Sequence, residues 1–336
     1  MNIVILDDYQ DAVRKLHCAS LLEGHSIKVY TNTVKGVGQL AVRLRDAEAI
    51  VLIRERTPIT RQLIEKLPKL KLIAQVGRSG PHLDVQACSD HGVVVTEGSG
   101  SPVATAELTW ALIMAAMRRL PQYIANLKHG AWQQSGLKAA AMPPNFAIGT
   151  SLRGRTLGIW GYGRIGQMVA QFGQAFGMHI LVGGSESARN LALEHGHQAA
   201  QNKAALFAES DVLSLHLRLC PATQAIVTAQ DLALMKPTAL FVNTARAELV
   251  EPDALVSALN KGHPGLAAVD VFESEPILQG HALLRLENCI CTPHIGYVEQ
   301  DSYEQYFGAA FASIMQFAQG QPSNVVNPEV LKRHHL

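Results

Sequence analysis

An arginine, a glutamate and a histidine late in the chain, Arg246, Glu275 and His294, each sit at or just beyond the carboxyl end of an apolar, strand-like run. The runs are Ala239 to Thr244, Gly265 to Val271 and Asn288 to Pro293. A guanidinium can fork onto a carboxylate, an imidazole can carry a proton near neutral pH, and a neighbouring carboxylate favours its charged form. Side chains at the carboxyl ends of parallel strands converge on one crevice. The three together would bind an acid and move a proton beside it.

Positioning them requires a substantial scaffold. At 336 residues the chain exceeds one ordinary core, and a prior of roughly 100 to 200 residues per domain suggests two. Hydrophobic content of 48% and charged content of 17% belong to a globular protein. A net charge of +1 with no long basic run gives no footprint for nucleic acid or a membrane surface, so a small-molecule partner is expected. Five cysteines, without a C-x-x-C pair, argue against a disulfide framework and fit a reducing, cytoplasmic compartment. No metal site is expected, and no span approaches the roughly 20 apolar residues of a membrane helix.

From residue 1 to about 100, apolar runs at Ile3 to Leu6, Ile27 to Tyr30, Ala49 to Ile53, Leu70 to Val76 and Val93 to Thr96 predict five strands. Helix periodicity lies between them at Asp11 to Leu22, Thr60 to Leu67 and Leu83 to His91. A long apolar helix, Val103 to Leu120, follows as a bridge between domains, with Pro121 expected to end or bend it. The Gly-, Pro- and Ser-rich stretch from His129 to Arg155 reads as a loop, and a second βα series runs from Thr156 to about Ile295. An amphipathic helix from Ser302 to Phe317 is expected to return to the first domain.

The second series opens with Gly161-Tyr162-Gly163-Arg164-Ile165-Gly166, a G-x-G-x-x-G between a strand and a helix. In that context the first glycine permits the tight turn, the second the approach of a pyrophosphate, and the third close packing of helix on strand. The acid expected about 20 positions on, at the end of the second strand, is missing. Gly184 stands in its place, within Gly183-Gly184-Ser185-Glu186-Ser187. Ser185, Ser187 and Arg189 could surround a ribose phosphate and admit NADP, while Glu186 could reach back for NAD; both stay open.

These motifs resemble the D-isomer-specific 2-hydroxy acid dehydrogenase family across nearly the whole chain: GYGRIG at 161 to 166, VNTAR at 242 to 246, AVDVFESEP at 268 to 276 and TPHIG at 292 to 296. RERTP at 54 to 58, LDVQACSDHGV at 83 to 93 and AEL at 106 to 108 also look familial. The resemblance implies an α/β fold of two doubly wound parallel-sheet domains. A flavodoxin-like substrate domain would comprise 1–102 and 299–336, with a Rossmann NAD(P)-binding domain, 103–298, inserted and including the interdomain helix. It further implies His294 as general acid and base, Glu275 as its partner, and Arg246 on the substrate carboxylate of a small 2-hydroxy or 2-keto acid. Substrate contacts would come from Arg78, Ser79, Gly80 and Arg54.

Besides the fingerprint, Thr105, Ser185, His216, Thr244, Ala245, Asp270 and Gly296 would touch the cofactor, Asp270 by accepting from the nicotinamide carboxamide. The chain departs from the family at Ala247, Arg218 and the carboxylate loop Gly77 to His82. A homodimer is expected, with the apolar helix Val103 to Leu120 as a contact surface. The competing expectation is a cofactor-sensing binding protein on the same scaffold, as in related corepressors.

Overall fold

The computed structural model describes residues 1–137 and 142–333, so residues 138–141 of the expected 129–155 loop, and the last three of the chain, lie outside it. The chain divides into two compact units, Met1–Ser101 with Val298–Leu336, and Pro102–Tyr297.

In the first unit the strands are β1 (Asn2–Ile5), β2 (Ser26–Val29), β3 (Ala49–Ile53), β4 (Leu72–Val76) and β5 (Val94–Glu97). Their order, β2-β1-β3-β4-β5, with every pair parallel, is that of flavodoxin-like sheets. Every residue of β3 and β4 is buried, as expected of parallel strands covered on both faces. The late helix Gln300–Ala318 belongs to this unit and buries Tyr306, Phe307, Phe311 and Ile314. Truncating Phe307 or Phe311 to alanine would cost about 3–5 kcal/mol. Beyond that helix, Asn327 takes the Val95 amide at 2.8 Å and donates to the Val93 carbonyl at 2.9 Å, so polar bonds as well as packing tie the chain's late segment to its first hundred residues.

The second unit holds β6 (Thr156–Trp160), β7 (His179–Gly183), β8 (Gln198–Ala199), β9 (Val212–Leu215), β10 (Leu240–Asn243), β11 (Leu266–Val269) and β12 (Cys289–Cys291). The order is β12-β11-β10-β9-β6-β7-β8, all parallel. Counted within the unit this is the Rossmann order 3-2-1-4-5-6 with one further strand, and the order reverses between β6 and β9.

Two expectations need correction. Asp11 to Leu22 forms short 3₁₀ turns at Val13–Lys15 and His17–Leu22 rather than one helix. Leu16 is extended between the turns, and Glu304 takes the His17 and Cys18 amides at 2.6 and 3.0 Å, which a continuous helix would have bonded to the Val13 and Arg14 carbonyls. The apolar helix spans Val103–Met117, and the break falls before Pro121, which sits in the first turn of a second helix, Leu120–Lys128. Arg119 makes that break: its backbone is left-handed (φ +57°), and its buried guanidinium donates to the Ala116 and Phe146 carbonyls at 2.6 and 3.1 Å. Burial pulls its pKa down to about 10.

One face of Val103–Met117 packs within its own unit. Leu112, Ile113, Ala116 and Met117 join the core under β6 and β10, and Trp110 packs on Phe172 and Phe176 of the neighbouring helical segment.

Candidate active site

Asn243, Val269 and Cys291 lie in one register row across β10, β11 and β12. Arg246, Glu275 and His294 follow that row by three, six and three residues, so all three leave the same end of adjacent strands. With strands roughly 4.8 Å apart, the outer two of this set are separated by only about 10 Å.

The loop carrying His294 is clamped by Asp270, the first residue past β11. One carboxylate oxygen accepts from the Thr292 hydroxyl at 2.7 Å and the Ile295 amide at 2.8 Å; the other accepts the Gly296 amide at 2.8 Å. Thr105 adds a hydroxyl bond to the Gly296 carbonyl at 3.0 Å. Burial raises the Asp270 pKa, opposed by the Thr292 hydroxyl, the two loop amides and nearby His294. His294 itself has a left-handed backbone (φ +51°), a conformation of order 1–3 kcal/mol above the usual wells for a non-glycine residue. It persists because the residues on both sides of it are held by Asp270.

His294 Nδ1 lies 2.6 Å from Glu275 Oε2, and Glu275 Oε1 takes the Phe272 amide at 3.0 Å. An ionised carboxylate only accepts, so Nδ1 carries the hydrogen and Nε2 is left to exchange a proton. The pair is partly shielded, its side chains 22% and 29% exposed. The Tyr297 ring meets the imidazole edge-on at 6.0 Å.

Arg246 is set by Asn243, whose side chain accepts the Ala245 amide at 3.0 Å and donates to the Arg246 carbonyl at 2.8 Å. Thr244 is anchored through its hydroxyl to Thr109 at 2.7 Å.

At the reversal point, Gly161 turns with φ +102°, and a β-carbon there would come 2.7 Å from the His216 carbonyl oxygen. One on Gly166 would come 2.2 Å from the Gly161 oxygen, whereas one on Gly163 would meet nothing within 4 Å. The outer two glycines are therefore required by the protein and the middle one leaves room for a ligand. The helix Arg164–Ala175 starts there, its amide end favouring an anion. A cleft of about 720 Å³ runs from this turn past Ser185 and Arg189, of a size and position that fit a dinucleotide.

Tyr162 lines this cleft while its hydroxyl is engaged with His195 Nδ1 at 3.0 Å. His216, one residue past β9, pairs through Nε2 with Ser214 at 2.9 Å, and burial pushes its pKa down to about 4.

Arg54, Arg78, Ser79 and Gly80 belong to the first unit, at the carboxyl ends of β3 and β4. Arg54 has φ +55°, its carbonyl is held by Gln75 Nε2 at 2.9 Å, and its guanidinium lies 5.7 Å from the Tyr306 ring centroid. Arg78 is exposed. The Ser79 amide, in the loop expected to contact substrate, donates to Glu97 Oε2 at 3.0 Å. Gln75, Glu97 and Tyr306 had no site role among the sequence expectations, although a lone glutamine inside the apolar run of β4 is itself a signal. Trp110 packs against the core, and Trp132 and His129 are exposed. Among the described residues no cluster has the make-up of a metal site.

Residues 110–296 match the model of the D-isomer specific 2-hydroxyacid dehydrogenase family, NAD binding domain. A glyoxylate reductase of Aeropyrum pernix is 37% identical over 296 residues, 87% of each chain. A crystal structure of a candidate D-3-phosphoglycerate dehydrogenase oxidoreductase from Ralstonia solanacearum is 64% identical with a TM-score of 0.97, covering 98% of both chains. A phosphoglycerate oxidoreductase from Vibrio cholerae is 55% identical with a TM-score of 0.90, covering 95% of this chain and 99% of the other.

Proposed function

Since this chain belongs to the D-isomer specific 2-hydroxyacid dehydrogenases, we propose that Arg246, Glu275 and His294 are the residues that perform its reaction. That reaction is hydride transfer between a nicotinamide cofactor and a 2-hydroxy or 2-keto acid. The planar guanidinium of Arg246 binds the substrate carboxylate as a fork. His294 Nε2–H donates to the keto oxygen and releases its proton as negative charge develops there; in the reverse direction Nε2 removes the hydroxyl proton. Glu275 fixes the ring through Nδ1 and balances the imidazolium charge. The bound nicotinamide supplies the hydride to the carbonyl carbon or takes it up.

The observation that carries this reading is the 2.6 Å contact between His294 and Glu275 at the carboxyl end of the β10–β12 row. The first unit is assigned to substrate binding, with Arg54 and Arg78 as its cations and the Arg78 and Gly80 amides as further donors. The Rossmann unit holds the dinucleotide through the glycine turn, with Thr244, Ala245 and Gly296 near the nicotinamide end. We place the enzyme in the cytoplasm, consistent with its five free thiols.

A homodimer is assigned to the face of Leu120–Lys128 that exposes Leu120, Ile124 and Leu127 at 45%, 54% and 56%, a spacing that lines up one side of a helix. Nicotinamide absorbance followed with a panel of 2-keto acids, glyoxylate and hydroxypyruvate among them, tests the activity. Reduction of at least one is expected; consumption with none would overturn the reading.

A further inference from the structure

We propose that the cleft beside β7 is built for the 2′-phosphorylated cofactor, NADPH, with Arg189 as the residue that selects it. The inference rests on the dinucleotide reading above and concerns which dinucleotide. Discrimination normally comes from a carboxylate at the end of the second Rossmann strand, which accepts from both ribose hydroxyls and repels a phosphate. Here that position is Gly184, whose φ of +143° is a backbone conformation L side chains rarely adopt. An ideal β-carbon on it would come 3.9 Å from the Gly161 amide nitrogen, so this is the point where a carboxylate would reach the glycine turn. The backbone itself disfavours such a residue.

No carboxylate lines the cleft among the described residues, and Glu186, the acid of this turn, is exposed outside the lining.

Donors stand there instead. Ser185 caps the helix Glu186–Glu194, and its hydroxyl lies 2.9 Å from that of Ser187. One hydroxyl hydrogen serves that contact and the other remains to donate outward. Arg189 follows Ser185 by one helical turn, on the same helix face, and lines the cleft. Its Nε is buried without a hydrogen-bond partner among the described residues. A buried guanidinium nitrogen lacking an acceptor is a group that a bound phosphate would satisfy.

Calorimetric titration of the full chain with NADPH, NADH and adenosine 2′,5′-bisphosphate tests this without relying on turnover. NADPH is expected to bind at least roughly tenfold more tightly than NADH, and the bisphosphate to bind. Arg189→Ala should weaken NADPH and the bisphosphate by roughly tenfold to a hundredfold and leave NADH unchanged, with Arg189→Lys intermediate. Equal or tighter binding of NADH by the unaltered chain would overturn the phosphate assignment alone. Failure of both dinucleotides to bind would overturn the dinucleotide reading with it.

Discussion

Asp270 accepts the Gly296 amide at 2.8 Å through one oxygen while its other oxygen holds Thr292 and Ile295, so a single buried carboxylate fastens the loop on both sides of His294. Replacing it with asparagine puts an NH₂ where one of these donors needs an acceptor. Asp270→Asn should lose about 1–3 kcal/mol of stability and lower kcat, because the left-handed backbone of His294 is then no longer enforced. Thermal unfolding and turnover of the variant measure both; an unchanged kcat would show that the clamp does not position the histidine.

Glu275 is separable from His294 by its charge. Glu275→Gln keeps an oxygen to accept Nδ1–H but removes the negative charge 2.6 Å away. A fall in kcat of roughly tenfold to a thousandfold, with KM little changed, is expected if the carboxylate balances the developing imidazolium. Equal kcat in the two proteins would reduce Glu275 to a hydrogen-bonding role.

His216 makes stability depend on pH. Its pKa falls from 6.5 to about 4 on folding because burial disfavours the charged ring. Between those values the unfolded chain takes up a proton that the folded chain refuses, so stability is full above pH 6.5 and declines as the pH drops toward 4. The loss approaches about 3 kcal/mol at most. Urea unfolding of the unaltered chain and of His216→Gln should show the two curves converging as the pH falls through this window; a constant difference would contradict it.

Leu120, Ile124 and Leu127 supply a surface test. Ile124→Glu with Leu127→Glu should convert a dimer to a monomer in sedimentation velocity, since two charges on a buried apolar face are strongly unfavourable. A monomeric unaltered chain, or a dimer that survives the double change, would remove this helix from the interface.

The site's strand ends were legible because parallel strands covered on both faces read as unbroken apolar runs, and Arg246, Glu275 and His294 stand where those runs stop. The glycine turn was legible for the same reason, a strand before it and a helix after. What escaped was side-chain competition for backbone groups. Glu304 takes the His17 and Cys18 amides that a helix over 11–22 would have used, Arg119 ends the apolar helix ahead of Pro121, and Glu97 engages the Ser79 amide. Each depends on which residues meet in space, and the local pattern holds no trace of that. Gly184 lay between these cases: its identity was visible, while the φ that disfavours any other residue was not.

The central claim is that His294 carries the proton. Turnover of a 2-keto acid by the unaltered enzyme and by His294→Ala, with cofactor affinity measured on both by calorimetry, tests it most directly. A loss of kcat of roughly a hundredfold to ten-thousandfold at unchanged cofactor affinity is the result predicted; unchanged turnover would contradict it.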